Sequence, residues 1–111
     1  MSNVKITDAV VNRFMNSKLD LIKREYSPTR LIVFGSRAEG RGGENSDIDM
    51  IVVSDRFRDI TFPNRMGQFL NTIWPDVPVD AICYTPEEFE IMLHTPSAFV
   101  RNAVEQGIDI Q

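Results

Sequence analysis

Apolar residues recur along the chain at alternating helical and strand-like intervals, which predicts a small α/β domain. Over residues 7–25 their spacing is mostly helical, and Thr7 or Asp8 can cap the start of this helix. Short apolar, β-branched runs at 30–34, 48–53 and 79–84 predict three strands. Further helices are expected from near Pro63, after Thr85 and over about residues 97–106. Helices and strands in this order indicate a small sheet with flanking helices.

Composition limits the classes of protein to consider. A chain of 111 residues, 42% hydrophobic and 25% charged, is expected to form one domain over residues 1–111. It contains no apolar run near the roughly 20 residues that cross a membrane, and its N-terminus lacks the apolar stretch of a signal peptide. We therefore expect a cytoplasmic protein without membrane contact. Cys83 is the single cysteine, which excludes an internal disulfide and a cysteine-based zinc site.

The charge balance argues against one kind of partner. The formal net charge is −4, whereas binding to long nucleic acid depends on neutralising many phosphates. Two of the basic residues, Arg37 and Arg41, lie inside the segment that carries the candidate chemistry, and they are candidates for contact with a smaller polyanion. Three others follow it and are as well explained by solvated surface: Arg56, Arg58 and Arg65.

The most informative segment is 34–53, where Gly35 and Ser36 are followed, ten residues later, by Asp47-x-Asp49. Alternate side chains of a strand project to the same face, so the two carboxylates would lie together. They repel each other unless a cation lies between them or one is protonated. Hard oxygen ligands suit Mg²⁺ or Mn²⁺. Two aspartates that merely cap a turn are the structural alternative.

The glycine–serine pair favours a phosphate site. Gly35 permits a backbone conformation or close approach that a side chain would block. Ser36 offers a hydroxyl and an N–H at the expected start of a short helical turn, where phosphate is attracted. Arg37 follows directly. Ser46 could add a hydroxyl to the site or cap the turn, and the sequence does not decide between these two roles.

Three better-known motifs do not fit this segment. Arg41 and Gly42 stand where a Walker A loop requires Lys and Ser or Thr. The glycines lack the G-x-G-x-x-G order of a dinucleotide-binding turn. Strand-like residues without ligands follow Asp49, so Asp47 does not begin a calcium loop.

The residues GSRAEGRGGENSDIDMIVV resemble the signature of the DNA polymerase β-like nucleotidyltransferase superfamily. The size of the chain resembles its minimal nucleotidyltransferases, the MNT proteins. The resemblance implies the polymerase β-like fold, with a small mixed sheet and flanking helices. It also implies a third carboxylate on a neighbouring strand, which Asp80 matches by placement, ahead of Asp76 in a proline-bounded turn.

The resemblance further implies an activity. A nucleoside monophosphate, usually AMP from ATP, would be transferred to an acceptor hydroxyl by a two-metal mechanism. Asp47, Asp49 and Asp80 would be the catalytic carboxylates and hold Mg²⁺ or Mn²⁺. The nucleotide would be bound by Gly35 and Ser36, with Arg37 and Ser46 as further candidates.

The resemblance also implies a partner. Minimal members are frequently antitoxins of a HEPN-type toxin, so a separate protein would supply the acceptor. Two alternatives stay open: an antitoxin subunit that binds its partner without catalysis, and nucleotidyl transfer to a small molecule such as an aminoglycoside.

Other distinctive residues favour structural roles. His94 is expected at a helix end or surface, Cys83 in the core, and Trp74, between a helix and a proline turn, as a packing anchor. Five phenylalanines are expected in the core or on a partner-facing surface, and two exposed together would favour a protein interface: Phe57, Phe62, Phe69, Phe89 and Phe99.

Overall fold

The protein folds into a four-stranded sheet with two helices on each face. A computed structural model describes residues 6–43, 45–96 and 98–110. In chain order its elements are α1 (Ala9–Tyr26), β1 (Arg30–Phe34), β2 (Ile48–Val53), a 3₁₀ turn (Asp55–Phe57), α2 (Phe62–Ile73), β3 (Val79–Tyr84), α3 (Pro86–Leu93), α4 (Phe99–Gln106) and β4 (Ile108–Asp109). The α/β class predicted from the hydrophobic pattern is confirmed.

The boundaries of α1 follow from local chemistry. The Asp8 carboxylate accepts hydrogen bonds from the N–H groups of Val10 and Val11 at 2.9 and 3.0 Å, so Asp8 rather than Thr7 is the cap. The helix ends at Ser27, which adopts a left-handed conformation immediately before Pro28.

The sheet order is β3-β2-β1-β4. β2 lies between β1 and β3, and its pairings with the two differ in direction. β1 and β2 are antiparallel, with Phe34 opposite Asp49. β2 and β3 are parallel, with Asp49 opposite Asp80. The C-terminal end of β1 therefore lies beside the N-terminal ends of β2 and β3. The sequence did not predict β4, which pairs with Ile32 and Val33 of β1; two residues are too short to give a periodic signal.

Each face of the sheet has its own core. Alternate strand residues such as Val33, Met50 and Val52 pack with the apolar faces of α1 and α2. The intervening residues, including Ile32 and Ile51, pack with α3 and α4. Burial on both sides explains why the strand sequences are continuously apolar instead of alternating with polar residues.

The remaining helices agree with their sequence signals. In α3, the Thr85 hydroxyl accepts from the Glu88 N–H while the Glu88 carboxylate accepts from the Thr85 N–H at 2.8 Å, which is a capping box. α4 begins at Phe99, whereas it was expected from about Ser97, which lies outside the described residues. It ends at Gly107 as predicted.

The expectation that Trp74 anchors packing is wrong. Trp74 is 76% exposed, and it caps α2 in a left-handed conformation. Phe62 and Phe99 are also about half exposed, whereas the other three phenylalanines are buried. Cys83 is buried, which raises the pKa of its thiol to about 12, and His94 is an exposed helix cap.

Among the residues described, no helix is both long and apolar enough to cross a bilayer.

The close approach of α4 to β1 at Gly107 gives a test of the fold. A Cβ atom at Gly107 would overlap the carbonyl oxygen of Ala103 and lie 2.7 Å from that of Val33. We expect Gly107→Ala to lower the free energy of unfolding by about 1–3 kcal/mol, measured by urea denaturation.

The matched control is Gly67→Ala in α2, where a Cβ meets nothing within 4 Å. Alanine has the higher helix propensity, so this variant should gain about 0.5–1 kcal/mol. Equal effects of the two substitutions would contradict the packing of α4 described here.

Candidate active site

The glycine–serine segment forms a tight turn directly after β1. Gly35 has φ +76°, and its carbonyl accepts hydrogen bonds from the N–H groups of Ala38 and Glu39, both at 3.1 Å. The chain thus makes one helical turn rather than a helix, as the short signal predicted. Within residues 6–43, 45–96 and 98–110, no hydrogen-bond partner is found for the hydroxyl or the N–H of Ser36. Both groups are available to a ligand.

Gly35 also lies against one of the candidate carboxylates. A Cβ atom at this position would overlap Asp49 Oδ2. Together with the positive φ, this explains why glycine is required here: a side chain would strain the backbone and displace the carboxylate. The turn and the carboxylate therefore belong to one site.

The strand registers bring two of the three predicted carboxylates side by side. Asp49 and Asp80 are direct neighbours on parallel strands, so their side chains project from the same face of the sheet, the one covered further along by α3 and α4. Asp47 lies just before β2. Asp76, the competitor considered for the third position, lies exposed in the turn before β3 and has no such register.

Burial and the neighbouring carboxylates disfavour the charged form of Asp49. The pKa of the Asp49 carboxyl is raised, first because the group is partly buried and then because of the negative charges of Asp80 and Asp47. Asp80 and Asp47 therefore lie close enough to Asp49 for their charges to affect its pKa.

The side-chain types of this site suit a divalent cation, but the side chains do not converge in their present orientation. A partly buried carboxylate, Asp49, beside the negative charges of Asp47 and Asp80 offers the oxygen ligands that suit Mg²⁺ or Mn²⁺. Across the described ranges, however, no three His, Cys, Asp or Glu side chains converge to hold a metal ion. The strands fix the backbone positions of Asp49 and Asp80, whereas the exposed side chains of Asp47 and Asp80 can reorient.

Arg37 has a role that the sequence did not predict. Its side chain is 5% exposed, and its Nη1 donates to both Asp8 oxygens at 3.2 and 3.0 Å. Its Nε and Nη2 donate to the carbonyl oxygens of Ser46 and Gly43, both at 2.9 Å. The guanidinium thus links the start of α1 to the loop that leads to Asp47. Contact of Arg37 with a nucleotide stays a prediction.

Asp8 has a second role in this region, beyond capping α1, that the sequence motifs did not predict. Burial raises the pKa of its carboxyl, but hydrogen bonds from the Val11 N–H and from Arg37 outweigh that effect, and the net shift is downward. Its signal in the sequence was the cap alone; the pairing with an arginine 29 residues away is tertiary.

Ser46 and Arg41 are engaged in local contacts. The Ser46 hydroxyl accepts from the Gly43 N–H at 2.9 Å, so it caps the turn, which was one of its two predicted roles. Arg41 is exposed and pairs with Glu39 at 2.9 Å. Their predicted contacts with a nucleotide or another polyanion remain untested.

A recess of about 390 Å³ opens beside the glycine turn, between that turn and α4. Phe34 and Phe99 meet edge to face in its wall, with ring centroids 5.6 Å apart. One stripe of α4 lines it at positions i, i+3, i+4 and i+7, which is the sequence signal that could have identified it: Phe99, Asn102, Ala103 and Gln106.

A recess of about 700 Å³ lies at the opposite end of β1, beside Lys23, Arg30 and Asp109. None of the candidate residues lines it. Since two of its charged groups, Arg30 and Asp109, pair with each other, the carboxylate end of the sheet is the better candidate for chemistry.

The sequence profile of nucleotidyltransferase domains matches residues 15–110. The chain belongs to this nucleotidyltransferase family. No curated protein matches the sequence. The match to the family confirms the identification suggested by the spacing of Gly35-Ser36 and Asp47-x-Asp49.

Solved structures show the same fold. A protein of Sulfolobus solfataricus, provisionally described as a nucleotidyltransferase, shares 22% identity over 82% of this chain and 84% of its own, with a TM-score of 0.56. The mixed sheet with flanking helices expected for the nucleotidyltransferase domain is thereby confirmed.

Two other structures are more distant. One, also provisionally a nucleotidyltransferase, shares 25% identity over 67% of this chain and 81% of its own, with a TM-score of 0.46. A toxin–antitoxin structure with AMP-PNP shares 20% identity over 93% and 71%, with a TM-score of 0.47. At these TM-scores neither carries a structural argument.

The buried ion pair of this nucleotidyltransferase domain predicts a large effect on stability. Arg37→Met removes the arginine donor of Asp8 and of two carbonyl groups. We therefore expect the free energy of unfolding at pH 7 to fall by about 3 kcal/mol, measured by urea denaturation. Arg41→Met, which breaks an exposed pair, should cost less than about 0.5 kcal/mol.

The loss should depend on pH. Because the folded-state pKa of Asp8 lies below its unfolded value of 3.8, its stabilising effect is present above that value and is lost as the pH falls through the folded-state pKa. The difference between wild type and Arg37→Met should therefore narrow in acid. A difference that is constant with pH would contradict the pairing with Asp8.

Repulsion among the carboxylates predicts that Asp49→Asn stabilises the metal-free protein at pH 7. The charged form of Asp49 is disfavoured in the fold, so the neutral amide should raise Tm in EDTA. The gain should disappear below about pH 4, where the wild-type group is itself protonated. Mg²⁺ should then stabilise the wild type more than the variant.

The control for this comparison is Asp20→Asn on the exposed surface of α1, which should alter neither Tm in EDTA nor the response to Mg²⁺. A lower Tm for Asp49→Asn than for wild type in EDTA would show that its charge is not under repulsion.

Proposed function

We propose that this nucleotidyltransferase domain transfers a nucleoside monophosphate, AMP from ATP, to a hydroxyl group of an acceptor. One observation carries the proposal: Gly35 closes directly on Asp49, and Asp49 is in register with Asp80. A phosphate-binding turn and two carboxylates of the expected types thus occupy adjacent ends of three strands.

The residues take distinct roles in the reaction. The N–H and hydroxyl of Ser36, both without a partner in the described part of the chain, bind the outer phosphates, and Gly35 lets them approach the backbone. The acceptor oxygen forms a bond to the α-phosphorus, the bond from that phosphorus to the bridging oxygen breaks, and pyrophosphate leaves. The hydroxyl proton passes to Asp80 and then to water.

The cation would be held by Asp47, Asp49 and Asp80. When bound, Mg²⁺ or Mn²⁺ supplies positive charge that offsets the carboxylates and the charge developing on the phosphoryl oxygens. The raised pKa of Asp49 supports this role, because a cation would stabilise the charged form that burial and the neighbouring charges disfavour. Arg37 contributes by ordering the loop before Asp47.

We propose further that a separate protein supplies the acceptor, and that the chain acts in the cytoplasm as a single-domain antitoxin of a HEPN-type toxin. The motif resemblance supports the type of partner. The exposed side chains of Phe62, Met66 and Trp74 support a protein partner in general, since three large apolar groups lie on α2 and its C-terminal cap.

The same surface favours one alternative, an antitoxin subunit that binds its partner without catalysis. That alternative leaves the clustered charge of Asp47, Asp49 and Asp80 without a purpose, because three neighbouring carboxylates reduce stability unless a cation compensates them. We therefore prefer the enzyme.

The test is transfer of label from ATP carrying ³²P at the α position to the protein encoded beside this chain's gene, with Mg²⁺. We expect covalent label on the partner. Asp47→Asn, Asp49→Asn and Asp80→Asn should each lower the rate at least a hundredfold, with the Asp20→Asn variant unchanged.

Nucleotide selection is tested in the same assay by competition with unlabelled GTP, CTP and UTP, of which none should compete as well as ATP. A tight complex with the partner that acquires no label with any nucleotide would leave the non-catalytic alternative.

A further inference from the structure

The recess between the glycine turn and α4 is continuous with the candidate active site. Gly35 lies in its wall, and the same residue approaches Asp49 so closely that a Cβ atom would overlap Oδ2. Phe34, the neighbouring wall residue, is opposite Asp49 in the sheet register. Residues directly opposite each other on antiparallel strands point to the same face. The recess therefore begins beside the Asp49 carboxylate.

The size and polarity of this recess suit an uncharged ring. Its volume of about 390 Å³ falls within the roughly 300–1,000 Å³ of small-molecule sites. The described residues that line it include one acid, Glu39, and no Lys, Arg or His. Phosphate groups are bound by Arg and Lys side chains or by backbone N–H groups. The recess therefore suits the base of a nucleotide better than its phosphates.

One wall offers an aromatic surface for stacking. Phe99 is 48% exposed, and its ring is held edge to face against Phe34, with centroids 5.6 Å apart. Because this contact already restricts the ring, a base that packs on its exposed part would order it little further. Stacking increases with contact area, which favours a two-ring purine over a pyrimidine.

An amide group lies next to this ring on the same stripe of α4. Asn102 is one turn from Phe99, whereas Gln106 is two turns away. Both amides are on exposed residues, and among residues 6–43, 45–96 and 98–110 no hydrogen bond of either side chain is found. The Asn102 amide is therefore available to a base that packs on Phe99.

The chemistry of a carboxamide favours adenine among the purines. It presents one acceptor beside one donor, which complements the 6-amino group and the adjacent ring nitrogen of adenine. Guanine presents two acceptors on one edge and two donors on the other, and neither edge matches. A carboxylate would accept from the two donors of guanine, but Glu39 in this wall is paired with Arg41 at 2.9 Å.

We propose that this recess binds the adenine base of ATP, packed on Phe99 and hydrogen-bonded by the carboxamide of Asn102. The inference rests on the proposed function and names the residues that select its nucleotide. Both residues come from α4, outside the glycine–serine and aspartate motif, so the motif holds the phosphates and α4 selects the base.

The parts of ATP then follow the order of elements across the sheet. The base lies between α4 and the end of β1, and the outer phosphates lie on Ser36. The α-phosphate lies near Asp49 on β2, and Asp80 on β3 is the next residue in register. The base occupies the side away from Asp80, which leaves the exposed Asp80 side open to the acceptor.

Titration calorimetry of the full chain with Mg²⁺ tests the proposal without turnover. The probes are ATP, GTP and inorganic tripolyphosphate, which represents the phosphates alone. We expect ATP to bind at least tenfold more tightly than either of the others. Asn102→Ala should weaken ATP binding about tenfold and leave GTP and tripolyphosphate unchanged. Gln106→Ala should weaken ATP binding less.

The matched control is Asn71→Ala, which removes an exposed amide from α2 and should change the affinity for none of the three probes. Asn102→Asp is the converse variant, since a carboxylate accepts from the two donors of guanine. It should lower the ratio of ATP to GTP affinity below that of Asn102→Ala.

A nucleotide analogue identifies the hydrogen bond itself. Purine riboside triphosphate lacks the 6-amino group and should bind the wild type about tenfold more weakly than ATP. The variant Asn102→Ala should bind the two equally, because the substitution and the missing amino group remove the same interaction. A difference that persists in the variant would show that Asn102 does not contact the base.

Stacking is tested by a conservative pair of substitutions. Phe99→Leu keeps an apolar side chain but removes the ring, and should weaken ATP binding at least fivefold with tripolyphosphate unchanged. Phe99→Tyr should restore ATP binding. Equal losses for ATP and tripolyphosphate in Phe99→Leu would contradict stacking on this ring.

Nuclear magnetic resonance gives a readout independent of affinity. The side-chain amide signals of Asn102 should shift when ATP is added and stay in place with tripolyphosphate. If ATP binds and its phosphates alone bind equally well, while Asn102→Ala raises the KM of the acceptor protein, the recess receives the acceptor and the proposal is wrong, with the transferase function intact. If neither ATP nor tripolyphosphate binds, the proposed function fails and this inference fails with it.

Discussion

The position of β2 between an antiparallel and a parallel neighbour is the constraint on which the rest of the structure depends. The antiparallel pairing brings the end of β1, and hence Gly35, beside Asp49. The parallel pairing brings Asp80 to the other side. Backbone hydrogen bonds fix both registers, and a slip of one residue would move Asp49 to the opposite face. The candidate site therefore requires no separate scaffold.

The same arrangement imposes an electrostatic cost. Burial, and after it the charges of Asp80 and Asp47, raise the pKa of Asp49, so its charged form opposes folding in the absence of a cation. The buried pair of Arg37 and Asp8 acts in the opposite sense, because it links α1 to the loop that carries Asp47. A site with repelling charges is thus held by contacts outside it, as expected where function and stability conflict.

β3 is both the strand that carries Asp80 and an edge strand of the sheet. Natural proteins usually cover or charge such an edge to prevent unwanted pairing. Here Arg65 covers the Cys83 carbonyl at one end, while apolar Phe62 and Met66 border the rest. Ala81 and Cys83 are therefore buried, whereas Asp80, near the start of the strand, is exposed.

The sequence by itself determined the elements and the chemistry. Apolar periodicity, Thr85 with Pro86, and Gly107 predicted the long strands and the helix boundaries within a residue or two, because these signals are local. The spacing of Gly35-Ser36 and Asp47-x-Asp49 predicted the nucleotidyltransferase family for the same reason, since the motif lies in one continuous segment.

Tertiary structure decided what depends on residues far apart in the chain. The two-residue strand β4 forms because Gly107 packs closely on β1. Arg37, a candidate for contact with a nucleotide, is buried against Asp8, 29 positions away in the chain. Trp74, expected as a packing anchor, is exposed where α2 ends on it in a left-handed turn. Burial and ion pairing are properties of surfaces that only the assembled sheet and helices create.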